Sequence, residues 1–548
     1  MRIDRRRTLA LLGLGAATPA AAQGSTASFR HGVASGDPTQ DSVVLWTRIT
    51  PQKPGGQIAY AWRLNPIDRR AGGAKSGKGV TGPERDYTVK VDVGGLDAGR
   101  AYTFEFETGG VTSPMGRTRT LPAGATEEVV LAVASCALYP NGYFNAYRAI
   151  ADLPRVDAVV HLGDYIYEYG GEGSYGMNSP VAGERPHDPP HEIVTLADYR
   201  RRHAQYKSDP DLQAAHAKAP WIVAWDDHET ANNSFLHGAQ NHDPATEGDW
   251  TARKAAALKA YYEWMPIRDP RPGQSLAEAS MRSFRFGDLA SLIMIETRLT
   301  ARDEQLDLER DLPTVDGKSD VAAFRARLDD PNRRMMGERQ AAWLRDEVAR
   351  SVKAGHAWQV LGNEVVMGRV VAPTRAALTP DEAARLKPSA LRRLEQREQA
   401  AKLGLPVALD MWDGYPADRE RLYGLLRGSA ARPIVLAGDS HSFWANDLAD
   451  AEGRHIGCEF GTTAITSPGA GEVAEGLDWG ELIARVSPEV RYNHQTLRGF
   501  VRLTLKRTEA RADMVAVSTI TAKPFETKVL KSFRVTPEGT GVSKVAEV

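Results

Sequence analysis

The sequence predicts a mixed α/β protein: a large domain of alternating strands and helices, preceded by a small all-β domain. Three observations carry this reading. At 548 residues the chain is too long for one ordinary domain, and with 42% hydrophobic residues it can bury a sizeable core. From 27 to 121, short apolar runs are separated by Gly, Pro and Asp turns with no helical period. From 128 to 548, strand-like runs alternate with helical stretches, and Pro122-Ala123-Gly124-Ala125 reads as the linker.

The first 22 residues read as an export signal. Asp4-Arg5-Arg6-Arg7-Thr8-Leu9 opens a twin-arginine-like region, Leu9 to Ala17 is apolar, and Pro19 precedes Ala20-Ala21-Ala22. The apolar run is far shorter than the roughly 20 residues a membrane span needs. The expected partner is therefore the twin-arginine (Tat) export machinery, and the expected location periplasmic or secreted, with no span in the mature form. An uncleaved N-terminal anchor is the alternative. The formal charge is −1, and losing residues 1–22 removes four arginines and one aspartate, leaving −4. That balance excludes a nucleic-acid binder with a basic face.

In the first domain, Val43–Trp46, Ile58–Trp62, Tyr87–Val91, Thr103–Phe106 and Gly116–Thr120 read as strands. The Leu96, Gly99 and Tyr102 spacing resembles the tyrosine corner of immunoglobulin-like and fibronectin-type sandwiches. Further on, helices are expected over 196–217 (broken near Asp209-Pro210), 250–264, 339–352 and 389–403. Residues 284–295 read as a hairpin turning at Gly287-Asp288, and Trp358–Leu361 as a core strand. Residues 170–190, dense in Gly, Pro and Glu, read as a long surface loop. The chain after Pro524 reads as extended.

Four apolar runs end abruptly in chemistry-bearing residues. Leu131–Ser135 ends at Cys136, and Val156–Leu162 ends at Gly163-Asp164 with Tyr167 three residues on. Trp221–Trp225 runs into Asp226-Asp227-His228-Glu229, and Ile434–Ala437 into Gly438-Asp439-Ser440-His441. In an α/β domain, the carboxyl ends of strands are where ligands bind. Phosphoester hydrolysis needs charge neutralisation, a nucleophile at neutral pH and help for the leaving group, and two cations a few ångströms apart supply the first two. Asp164 is the natural bridging carboxylate. Tyr167 and Cys136, anionic when bound, suit a ferric ion, and carboxylate oxygens suit calcium. His228 is placed to bind the scissile group or protonate the leaving oxygen. Asn232 and Asn233 offer hydrogen bonds or a ligand oxygen.

Each residue also has a plainer role. Asp164 could cap a helix, Asp226-Asp227 could be a capping pair with one ligand between them, and His441 could be a core histidine. His161 reads as packing, and the histidines at 187, 191, 237 and 242 as exposed. Cys458 reads as a buried, inert thiol, with a Cys136–Cys458 disulfide as the alternative.

Taken in order, the motifs resemble the PhoD-type alkaline phosphatases, secreted metallophosphoesterases. The matching stretches are His31–Pro38 with Leu45–Arg48, Ala134–Cys136, His161–Glu168, Tyr199-Arg200 onward to Asp211-Leu212, Trp225–Glu229 with Asn232-Asn233, Trp412–Tyr415 and Ala437–Trp444. The resemblance implies an N-terminal β-sandwich and a two-sheet metallophosphoesterase sandwich flanked by helices. It also implies a purple-acid-phosphatase-like centre with Fe(3+) and Ca(2+). It makes Cys136, Asp164, Tyr167, Asp226, Asp227, Asp439 and His441 the metal residues, and His228, Asn232 and Asn233 the substrate-contacting ones. Two features depart from the family. No helix is evident after residue 500 to cover the site, and Glu296 stands where an Asp is expected before Thr297-Arg298.

The leading function is metal-dependent hydrolysis of phosphomonoesters and phosphodiesters. Small phosphoesters are the expected substrates, with phospholipid or cell-wall phosphodiesters as further partners. A phospholipase-D-like phosphodiesterase is the second reading, and a non-catalytic exported binding protein the third. The third is disfavoured because so many ligand-type residues are costly to bury without metal.

Overall fold

The computed structural model describes residues 27–67, 72–171, 173–406, 408–473 and 477–548. The export-signal reading of residues 1–22 lies outside them. The fold is mixed α/β, with two large sheets facing each other. One has ten strands. Its centre is Glu128–Ala134, Ala158–Leu162 and Trp221–Ala224, all parallel, with each crossover carried by helices. The other has seven, built around the parallel strands Ala290–Met294, Trp358–Gly362, Pro433–Ala437 and His455–Gly461.

Parallel strands buried on both faces need continuous apolar runs, and these sequences supply them. Leu131, Val160, Leu162 and Ile222 from the first sheet pack on Leu292, Val360, Leu436 and Phe460 from the second. Outside the first sheet lie helices Asn145–Ala151, Leu196–Lys207, Pro210–Lys218 and Trp250–Trp264. Outside the second lie Glu338–Lys353 and Pro416–Gly428. The break at Asp209-Pro210 has a simple cause. Asp209 caps the second helix by accepting from Asp211 and Leu212 N–H, and Pro210 begins it.

The N-terminal β-rich segment is joined edge-on to the large sheet. Val33–Gly36, Val43–Arg48 and Thr88–Val93 extend it, Gly36 pairing in parallel with Trp221. The other strands, from Ile58–Pro66 to Gly116–Arg119, form a five-stranded antiparallel sheet. Leu45, Val89, Leu64, Phe104 and Phe106 share one core between them.

Several expectations change. Cys136 and Cys458 are both free and buried, so the disulfide alternative falls. His187 and His242 are not exposed, because their loops fold back on the domain. His187 Nδ1 bonds the Tyr169 carbonyl at 2.8 Å, and His242 Nδ1 meets Glu247 at 3.0 Å. His191 and His237 are exposed. Among the described residues, no helix is long and apolar enough to cross a membrane. The last helix is Trp479–Val486, and the chain from Gly499 onward is extended.

Burial holds the rings of His31, His161, His187 and His203 at about 3, well below the usual 6.5. Between about 3 and 6.5 the unfolded chain therefore binds protons that the folded chain refuses, and stability rises with pH across that window. The raised carboxyl groups of Asp164, Asp226 and Asp439 titrate in the same range with the opposite sign, so the histidine contribution is read as a difference between the wild-type protein and His203→Phe, each unfolded in urea at pH 5.0 and 7.5. His203→Phe removes a ring with neither nitrogen bonded and, relative to the wild-type protein, should be about 2 kcal/mol better off at pH 5.0 than at pH 7.5. A difference between the two proteins that does not change with pH would contradict His203 being buried as a neutral base.

Candidate metal centre

The parallel strands of both sheets end on one side of the sandwich, and their first non-strand residues converge. Three overlapping groups bring ligand atoms within 4.8 Å of one another: Cys136–Asp164–His441, Asp164–Asp227–His228, and Asp164–Asp226–Asp227–Asp439. Asp164 belongs to all three. The turns that aim these side chains are unusual. Cys136, Asp164, Asn233, Asp439 and His441 all have left-handed φ between 52° and 61°, a region that costs non-glycine residues energy. Gly163, at φ 96°, lies against the next loop, where a Cβ would sit 2.3 Å from Asp226 Cβ.

Hydrogen bonds fix each donor. Tyr167 Oη donates to Asp164 Oδ2 at 2.9 Å, and Ser467 Oγ bonds that phenol at 2.7 Å. His441 Nδ1–H donates to Pro468 O at 2.8 Å, which leaves Nε2 to face Tyr167 Oη at 3.3 Å. His228 Nδ1–H donates to Glu168 at 2.6 Å, so its Nε2 points toward Asp227, 4.0 Å away. Asn233 N–H donates to Asp227 Oδ2 at 2.6 Å, and Asn232 N–H to Glu168 at 2.7 Å. The two asparagine side chains share Gln240 Oε1 and are half-buried.

Four partners escaped the sequence reading. Glu229 accepts from three backbone N–H groups, those of Asp164, Tyr165 and Asp226, and so ties two strand-end loops together. Glu168 orients His228. Arg298 bonds Asp226 and Asp410 from the second sheet. Glu364, buried at the next strand end, accepts from Thr297 Oγ1. The signal for Arg298 was present: Leu292–Ile295 is another apolar run ending in polar residues, read only as half of a hairpin. Glu296 now has a role as well. Its longer side chain reaches the turn ahead and accepts from the N–H groups of Arg298, Leu299 and Thr300.

The electrostatics show why such a cluster suits cations. Burial, then the neighbouring carboxylates, holds Asp164 and Asp226 well above the usual carboxylate range, and burial raises Asp439 to about 7. Burial and Asp164 push the Cys136 thiol up. Burial works against charge on His228, yet Asp227, Glu168 and Asp164 hold it well above its ordinary value. Asp226 Oδ2 and Asp227 Oδ1 are buried with no hydrogen-bond partner. Orphaned carboxylate oxygens beside a thiol, a phenol and an imidazole form a donor set that fits metal.

A cavity of about 820 Å³ opens beyond Asp439, Ser440 and His441, walled by residues 173–180 on one side and Pro468, Gly469 and Glu472 on another. Tyr175, at this wall, bonds Pro468 O at 3.1 Å and lies over the His441 ring.

Family comparison decides the class. Residues 131–514 match the PhoD-like phosphatase family, and residues 15–122 match that family's N-terminal domain. The chain belongs to the PhoD-like phosphatase family. It is 33% identical over 536 residues to alkaline phosphatase D of Bacillus subtilis (strain 168), covering 95% of this chain and 83% of that protein. The solved structure of PhoD superposes with a TM-score of 0.76 at 32% identity, covering 97% of this chain and 94% of that one. The protein is thus a phosphoric ester hydrolase of the PhoD-like phosphatase family.

Glu229→Gln should separate scaffold from ligand. An amide cannot accept from all three N–H groups, so we expect a loss of about 2 kcal/mol in stability and fewer metal ions per chain. Thermal melting with elemental analysis checks this, and unchanged metal content would refute the scaffold role.

Proposed function

We propose that this PhoD-like phosphatase hydrolyses phosphomonoesters and small phosphodiesters outside the cytoplasm with Fe(3+) and Ca(2+), which Asp164 and its neighbours would hold. The observation that carries the reading is the membership of Asp164 in all three ligand groups. Cys136, Tyr167 and His441 would complete the ferric site with it. Asp227 and Asp439 would hold calcium with it, and Asp226, which gives one oxygen to Arg298, keeps the other for the same ion. When bound, the cations neutralise phosphoryl oxygens and activate water. His228, charged by its carboxylate neighbours and fixed through Nδ1, supplies the proton to the leaving oxygen from Nε2. Asn232 and Asn233 stand beside it as substrate contacts.

The cavity supports a diester reading alongside the monoester one, because it leaves room for a second ester group. Its walls mix polar side chains, among them Asn141, Ser174 and Thr521, with apolar ones, among them Pro180, Pro468 and Ile520. On the same reading, residues 1–22 direct twin-arginine export to the periplasm or medium. Residues 27–121 are an immunoglobulin/fibronectin-like sandwich, and 128–548 a metallophosphoesterase domain. Tyr102 supports the sandwich assignment, since its buried phenol accepts from Asp97 N–H at 3.1 Å.

The test pairs two variants on aryl and alkyl phosphates at alkaline pH. Asp164→Asn should lose both activities by about 1000-fold or more, along with bound metal. His228→Ala should keep its metal and lose far more on the alkyl ester, whose leaving oxygen needs the proton. Equal losses on the two esters would remove His228 as the acid, and a fully active Asp164→Asn would end the metal-centre reading.

A further inference from the structure

Arg298 lies against the carboxylates of Asp226, Asp227 and Asp439. It follows strand Ala290–Met294 and has no exposed surface. Its nitrogens do different work. Nε donates to Asp226 Oδ1. Nη1 donates to both oxygens of Asp410, at 2.8 and 2.9 Å. Nη2 has no hydrogen-bond partner. It faces Asp439 Oδ1 at 3.5 Å and Asp227 Oδ1 at 3.8 Å, both beyond a good N–H···O bond. Asp439 lines the large cavity, and its side chain is 20% exposed.

This arrangement leaves unspent N–H donors among the carboxylates expected to hold a cation. A guanidinium cannot lose its charge, and its planar fork is fixed here by carboxylates on two of three nitrogens. It cannot turn away to find another acceptor. An unpaired buried donor is costly, so an acceptor is missing from the protein's own groups. We propose that Arg298 Nη2 donates to a non-bridging phosphoryl oxygen of the bound ester, and so to the charge that builds there in the transition state. Asp226 and Asp410 are the struts that aim it. The proposal rests on the metal-centre reading above, yet it concerns a nitrogen that neither cation binding nor proton delivery by His228 requires.

The test uses metal-loaded Arg298→Ala and Arg298→Lys proteins. The readouts are bound iron and calcium per chain, kcat and KM on an aryl phosphate, and the affinity of inorganic phosphate by calorimetry, each with and without added guanidinium. We expect metal content to hold, kcat to fall roughly 100-fold and phosphate to bind at least about 10-fold more weakly. Guanidinium should restore part of both in Arg298→Ala, where sodium chloride at the same concentration does not. Arg298→Lys should stay impaired, since an ammonium cannot bond Asp226 and Asp410 and still present a third donor. Unchanged phosphate affinity in Arg298→Ala would overturn the proposal. So would metal lost in step with activity and no guanidinium effect, which would make Arg298 a strut only. Should the alanine variant fail to fold, Asp410→Asn loosens Nη1 with Arg298 in place. Weaker phosphate binding with metals intact would then support the assignment, and unchanged binding would overturn it. Failure of the metal-centre reading would look different, since the wild-type protein would itself lack metal.

Discussion

Mutual repulsion among buried carboxylates is the constraint on which the rest of this molecule depends. Asp164, Asp226, Asp227 and Asp439 offer oxygens within 4.8 Å of one another, and Asp226 and Asp227 have almost no solvent contact. Charges that close in a poorly polarisable interior cannot coexist without countercharge. Arg298 supplies some of it from the second sheet and His228 some from the first. Cations bound among them would supply the remainder. The two-sheet architecture serves this end, because it lets loops from parallel strands of both sheets meet at one point.

Holding that point requires strained backbone. Five residues of the site sit in left-handed conformation, including Cys136, Asp164, Asp439 and His441. Such strain persists only where surrounding structure over-determines it. Here the over-determination is visible. Glu229 takes the N–H groups on either side of the Asp164 turn and that of Asp226, Cys136 N–H bonds Gly163 O at 3.2 Å, and Pro468 O locks the His441 tautomer. Burial of neutral histidines behind the site adds a dependence on pH that acts in the alkaline direction.

Much of this was legible in the sequence, and the reasons differ by element. The parallel strands were legible because burial on both faces demands unbroken apolar runs, and the abrupt polar endings fall where candidate ligand atoms converge. The helix break at Asp209-Pro210 follows from capping chemistry alone. The edge-on junction of Val33–Gly36 with Trp221–Ala224 was not legible, since a strand's sequence does not name its neighbour. His187 and His242 were misread because loop burial depends on where the loop docks. Glu229 and Arg298 were missed for a related reason: their roles lie in what they bridge, and Arg298 stands 72 residues from Asp226. The 170–190 segment read as surface, but Tyr175 brings it over the His441 ring, beside the candidate ligand groups.

Anomalous X-ray diffraction at the iron edge, on crystals of protein purified without added chelator, addresses the shared carboxylate most directly. The expected result is one iron peak bonded to Cys136 Sγ, Tyr167 Oη, His441 Nε2 and an oxygen of Asp164, with the other Asp164 oxygen on a lighter cation that Asp227 and Asp439 also bind. A map with no anomalous scatterer touching residue 164, or with the iron held elsewhere, would contradict it.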